Sequence, residues 1–161
     1  MNNDECCPKF QPERWDKKEL KWDNKLFVKD SMINFFHVPL PGVVSKKIGK
    51  MSALIEAQNK YDANKADTLV LFRDPSPFKS EIYISTIGEV GGANNVKISG
   101  NFIACVYDGG YNMVPKFIKE TETYLKSIGK KAKDYYIHYA YCPACTKKFG
   151  ANYMVFFALV N

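Results

Sequence analysis

The densest run of chemically capable side chains in this sequence is Tyr135–Tyr153, YYIHYAYCPACTKKFGANY. It carries His138, then the thiols of Cys142-Pro-Ala-Cys145, then a basic connection ending on Gly150, and leads into a second apolar run, Tyr153–Val160. Three chemistries are open to the two thiols. As half of a zinc site they need two further nitrogen or sulfur donors. Cys6 and Cys7 can supply these if the N-terminus folds back, with His138 or His37 as nitrogen alternatives. As a dithiol they have the spacing of a thioredoxin-like redox pair, with Lys147 and Lys148 favouring a thiolate. Such pairs normally open a long helix in a βαβ unit, whereas this motif ends a strand and reads as a turn. The third reading is a plain turn closed by two oxidisable thiols. Zinc is thus the one cofactor the sequence raises. Cys105, between Ala104 and Val106, reads as a core thiol. The two histidines offer no Ser-His-Asp or Cys-His triad context, and Gly88–Ala93 matches no phosphate-cradling fingerprint.

The elements that must position these residues follow from hydrophobic periodicity. Residues 1–30, with Pro8, Pro12, Trp15 and Trp22 among charges, read as an extended arm pinned by its two tryptophans. Strands are predicted over Ser31–Leu40, Ala66–Arg73, Glu81–Ile87, Lys97–Tyr107 (Gly100 a bulge or bend), Tyr135–Tyr141 and Tyr153–Val160. Helices are predicted over Val43–Tyr61, with Val44, Ile48, Met51, Leu54 and Ile55 as the apolar stripe, and over Tyr111–Ile128, ending on Gly129. The order strand–helix–strand–strand thus occurs twice, over about 31–87 and 97–160. The predicted class is α+β: one antiparallel sheet in a single domain, 31–161, with both helices on one face and a concave groove on the other.

Alternation then selects side chains for the groove. If Ile82 and Ile84 face the helices, Glu81, Tyr83 and Ser85 face away; if Ile137 is buried, Tyr136 and His138 face away. Tyr83, Tyr107, Tyr136 and His138 form the expected aromatic wall, with His37 and Tyr111 as further ligand contacts and Glu81 as its carboxylate. Such a wall suits a flat or cationic organic ligand through stacking and cation–π attraction. Glu81 and His138 are the candidates for general acid–base work on it, set against the plainer reading of satisfied strand residues. The competing class is a thiol or metal protein working through Cys142 and Cys145, and a third is an interaction module using the aromatic face.

Composition narrows the partners. Ten Tyr, eleven Phe and two Trp in 161 residues make an aromatic share of 14%, enough for a ligand groove as well as a core. The formal charge of +6 comes from lysines scattered in pairs and interrupted by acids, a solvated surface and not a nucleic-acid stripe. No apolar run is long enough to span a bilayer, and the polar, acidic MNNDECCPKF is no signal peptide, so a cytoplasmic protein with no membrane or nucleic-acid partner is expected. The sequence leaves monomer and homodimer open.

The stretch SGNFIACVYDGGYNMVPKF resembles GyrI-like (DNA gyrase inhibitor-like) domains at Gly100, Phe102, Gly109, Gly110 and Tyr111. A similarity covering nearly the whole chain links it to a bacterial group labelled hydrolase. It runs through Glu5–Phe10 (ECCPKF), Leu26–Asp30 (LFVKD), Phe35–Leu40 (FFHVPL) and Cys142–Tyr153 (CPACTKKFGANY). The resemblance implies a twofold-repeated sheet with a groove for planar or cationic organic ligands, used in that wider family to sense drugs, sequester toxins or, in some branches, hydrolyse reactive natural products. Many such domains carry a glutamate on the strand after the second helix. Here that strand reads YYIHY, and Glu81 is the carboxylate that alternation offers instead.

Overall fold

The computed structural model describes residues 7–35, 38–39 and 42–160, so the predicted site residues Cys6 and His37 lie outside the described residues. The fold is α+β with antiparallel strand pairing. Its strands are β1 (Lys18–Phe35), β2 (Val38–Pro39), β3 (Val70–Ser76), β4 (Lys79–Ser85), β5 (Asn95–Asp108), β6 (Asp134–Tyr139) and β7 (Tyr153–Leu159). Its helices are α1 (Val43–Ala57), α2 (Val114–Ser127) and α3 (Pro143–Phe149), with short 3-10 turns at Pro12–Arg14, Lys65–Asp67 and Tyr111–Met113. The chain forms two compact units: an internal one, Asp23–Ser99, and a terminal one, Met1–Trp22 with Gly100–Asn161. No helix among the described residues is long and apolar enough to cross a membrane.

In the internal unit β4 pairs with both β1 and β3, placing Lys29 and Leu71 opposite Tyr83, and Ser31 and Arg73 opposite Glu81. One face of these strands offers Val28, Met32, Ile82 and Ile84 to Met51 and Ile55 of α1, with Val44, Ile48 and Leu54 packed alongside. This is the stripe predicted from helical spacing. Each fully buried aliphatic side chain in such a layer contributes about 1.5–3 kcal/mol. Because side chains alternate, Phe27, Lys29, Leu71, Arg73, Glu81, Tyr83 and Ser85 take the opposite face.

In the terminal unit β7 lies between β5 and β6. Helix α2 buries Phe117, Thr121 and Leu125, spaced one turn apart, against Ile103, Cys105, Met154, Phe156 and Ala158. It stops at Gly129, whose φ of +72° is the left-handed conformation a helix end favours in glycine. The face turned from α2 carries Phe102, Val155, Phe157, Tyr136 and His138, by the same alternation.

Two differences from the predicted elements bear on the candidate sites. The first strand begins at Lys18, not Ser31, and β1 pairs with β5 as well as with β4. The Cys142–Gly150 connection is not a turn but a short helix: Pro143 occupies its first turn, Cys142 caps it, and Gly150 closes it at φ +68°.

Candidate functional sites

The internal unit buries one carboxylate on the face away from its helix. Glu81 is 4% exposed, held there by strand alternation and by two cations brought from the flanking strands. The Lys29 ammonium lies 2.5 Å from Oε2 and the Arg73 guanidinium donates to Oε1 at 2.6 Å. Burial by itself would raise the Glu81 carboxyl; hydrogen bonds and charge from Lys29 and Arg73 outweigh it and hold the pKa below the ordinary value. Glu81 is therefore an ion-pair acceptor at neutral pH and not a proton donor. Lys29 Nζ also stands 5.6 Å from the centroid of the Tyr83 ring, within cation–π range, and Phe27 meets that ring edge-on at 6.2 Å. A carboxylate and an aromatic face thus converge on one cation.

The terminal unit assembles an aromatic face. Tyr136 meets Phe102 edge-on at 6.1 Å, Phe102 packs on Trp22 at 4.3 Å, and Trp22 and Trp15 contact Phe157 at 5.3 and 5.8 Å. Both tryptophans expected to pin the N-terminal arm are in this row. Tyr136 and His138, two residues apart on β6, are half-buried on the same face.

Tyr107 lies on the other face. Its ring stacks on Phe117 of α2, centroids 4.6 Å apart and planes 9° apart, and its hydroxyl bonds Thr121 Oγ1 at 2.8 Å. Burial pushes its pKa up to about 12 against the smaller pull of that hydrogen bond. The signal was present in the sequence: Tyr107 is two residues from Cys105, and alternation gives both the same face. Cys105 is 1% exposed in the α2 core, its thiol pushed up by burial, as a core thiol should be. Tyr111 is 60% exposed in the turn before α2 and meets Tyr139 edge-on at 5.3 Å. Glu81 and Tyr83 belong to the internal unit, and Tyr107, Tyr111, Tyr136 and His138 to the terminal one. Sequence reasoning missed Lys29 and Arg73, whose role appears only in the register that sets them around Glu81.

The Sγ atoms of Cys7, Cys142 and Cys145 all lie within 4.8 Å of one another, in the terminal unit, and could hold a metal ion. Cys145 is buried, and Cys7 and Cys142 are half-buried. The Cys142 amide donates to Cys7 Sγ at 3.4 Å. Next to this cluster the Phe10 amide donates to the Tyr141 hydroxyl at 2.8 Å, and the Phe10 ring packs on Tyr153 at 5.1 Å. Tyr141 in turn stacks on Phe149 of α3 at 4.8 Å. Cys7 is therefore brought to the C-x-x-C corner by neighbours that are themselves anchored.

Several solved structures match the fold, two of them over nearly the whole chain. That of SAV2435 bound to tetraphenylphosphonium aligns with a TM-score of 0.57 at 11% identity, covering 89% of this chain and 93% of that one. A putative bacterial transcription regulation protein from Staphylococcus aureus MU50 aligns with a TM-score of 0.53 at 10% identity, covering 91% and 99%. At these identities the likeness is one of fold, and the α+β class with antiparallel pairing is the one expected from the sequence. No curated protein matches the chain. The model of one family, described as bacterial hydrolase, matches residues 1–160, essentially the whole sequence. The chain belongs to that bacterial hydrolase family.

Proposed function

We propose that this protein binds a planar or cationic organic molecule, and that Glu81 and Tyr83 form the charge-reading part of its site. The observation that carries this reading is that the pair already accommodates a cation, the Lys29 ammonium, between a buried carboxylate and an aromatic ring. An organic cation that displaces Lys29 keeps the carboxylate neutralised and offers the ring a larger, less hydrated charge, an interaction of about 0.5–2 kcal/mol at the ring alone. Arg73 remains on the second carboxylate oxygen and keeps Glu81 ionised. The fold likeness to a protein solved with tetraphenylphosphonium supports the same ligand class. In the terminal unit Tyr136 and His138 offer flat ligands an aromatic surface.

Turnover, in this reading, is secondary to binding. Glu81, lowered in pKa and paired on both oxygens, suits charge stabilisation better than proton donation, which leaves His138 as the candidate for any proton transfer. This reading invokes no cofactor. The test is calorimetry and thermal shift with tetraphenylphosphonium and planar cations. Wild type should be stabilised, Glu81→Gln and Tyr83→Leu much less so, and ester hydrolysis followed in parallel should depend on His138 if it occurs. Equal stabilisation of wild type and both variants would defeat the assignment.

A further inference from the structure

We propose that Cys7, Cys142 and Cys145 form a three-thiolate site for a soft divalent metal, zinc being the expected ion, and that the metal ties the N-terminal arm to the α3 corner. This goes beyond ligand binding and does not depend on it. Two segments separated by 135 residues supply the thiols, and all three sulfurs fall within 4.8 Å of one another. A disulfide explains the approach of two sulfurs, drawn to about 2.0 Å, and gives no reason for a third. Three thiolates around one tetrahedral ion with Zn–S bonds of about 2.3 Å stand about 3.8 Å apart, a spacing that fits inside the 4.8 Å that bounds this trio.

The surroundings are those of a structural metal site. Cys142 caps α3 and Cys145 lies in its first turn, so a rigid element sets the spacing of two ligands. The third is delivered by the arm, which is fastened beyond it at successive points. Phe10 bonds Tyr141, Trp15 packs on Phe157, and the Asp16 carboxylate accepts from the Val106 amide at 3.0 Å. The Lys17 amide donates to the Ala104 carbonyl at 2.8 Å, and its ammonium stands 3.8 Å from the Tyr124 ring centroid. A preorganised trio of this kind loses little entropy on binding an ion. The basic residues Lys147 and Lys148 in the last turn of α3 offset the negative charge of a divalent ion held by three thiolates. On binding, three S–H protons pass to solvent and three metal–sulfur bonds form, with no change of oxidation state. Three thiolates fill three of the four positions zinc prefers and leave one for a further donor.

The test uses the full-length protein purified without a histidine tag under reducing conditions. Elemental analysis should find about one zinc per chain, and cobalt(II) titration of the stripped protein should give thiolate-to-metal charge-transfer absorption. Cys142→Ser and Cys145→Ser should lose the ion, and Cys7→Ser should bind at least about tenfold more weakly, with loss of part of the charge-transfer intensity. Cys105→Ser, altering the thiol buried under α2, should keep full metal content. Stripping the ion should speed proteolysis at Lys9 and Arg14 while circular dichroism of the core stays unchanged. Absence of charge-transfer absorption in folded wild type overturns the proposal. So does full metal affinity in Cys7→Ser, or a Cys142–Cys145 disulfide that forms reversibly in a chain unable to bind metal. None of these readouts depends on tetraphenylphosphonium binding, so the two proposals fail separately.

Discussion

Lys29 reaches across from β1 to place its ammonium 2.5 Å from Glu81, a carboxylate whose side chain is only 5% exposed. That contact makes Lys29 a tethered competitor for any cation that Glu81 and Tyr83 would bind. Lys29→Met retains the apolar stem and removes the charge. It should therefore tighten binding of tetraphenylphosphonium by about two- to fivefold, roughly the worth of a partly exposed ion pair. Isothermal titration measures the change, and unchanged or weaker binding would show that the ammonium does not occupy the ligand's place.

Acid stability should report the same cluster. The folded-state pKa of Glu81 lies below its unfolded value, so its contribution is fully present above the unfolded pKa near 4.5 and is lost as pH falls through the folded value. Glu81→Gln should flatten the acid limb of the stability–pH curve below that point. At neutral pH it should cost about 3 kcal/mol or more, because Lys29 and Arg73 are left facing each other. Urea denaturation at stepped pH values distinguishes this from a loss that is independent of pH.

On the alkaline side two tyrosines act in the opposite sense. Burial pushes Tyr107 and Tyr135 up to about 12 from the ordinary 10.0, so native stability is complete below the unfolded pKa and is lost as pH rises through the folded one. Tyr135 differs from Tyr107 in that its buried hydroxyl has no hydrogen-bond partner among the described residues. Tyr135→Phe should therefore raise stability by about 1 kcal/mol at pH 7 and move the alkaline limb upward. Tyr107→Phe, which also breaks the bond to Thr121, should move the limb and lower stability at pH 7. Destabilisation of both variants alike would mean the Tyr135 hydroxyl is satisfied.

Gly109 is required by packing. A Cβ there would stand 2.8 Å from Phe117 Cζ and 3.2 Å from Cε2, and the Phe117 ring is backed by the stacked ring of Tyr107. Gly109→Ala should cost about 1–3 kcal/mol by overpacking. Adding Phe117→Leu should return part of that loss, so that the double variant is more stable than the sum of the single ones predicts. Strict additivity, read from chemical denaturation, would place the strain elsewhere.

The legible parts of this fold were those with a strong period. Val44, Ile48, Met51, Leu54 and Ile55 marked α1, the stop at Gly129 marked the end of α2, and alternation put Tyr136 with His138 and Glu81 with Tyr83. The start of β1 was hidden because Lys18–Lys25 is too polar to show a buried face. Helix α3 was hidden because seven residues with a proline at the start carry too few turns for a period to show. Tyr107 was read to the wall of the expected groove although its two-residue spacing from Cys105 gave it to the helix face.

What the sequence determined by itself is what local physics dictates: the class of the longer, strongly periodic elements, the face that most of their side chains take, and family membership through motifs spread along the chain. What only the tertiary structure decided is which distant groups meet. Strand register set Lys29 and Arg73 on the two oxygens of Glu81, and the path of the arm set Cys7 beside Cys142 and Cys145. Periodicity is a property of neighbouring residues, whereas register and long-range docking depend on the packing of whole elements. The charge of Glu81 and the company of the thiols could therefore be read only from the folded chain.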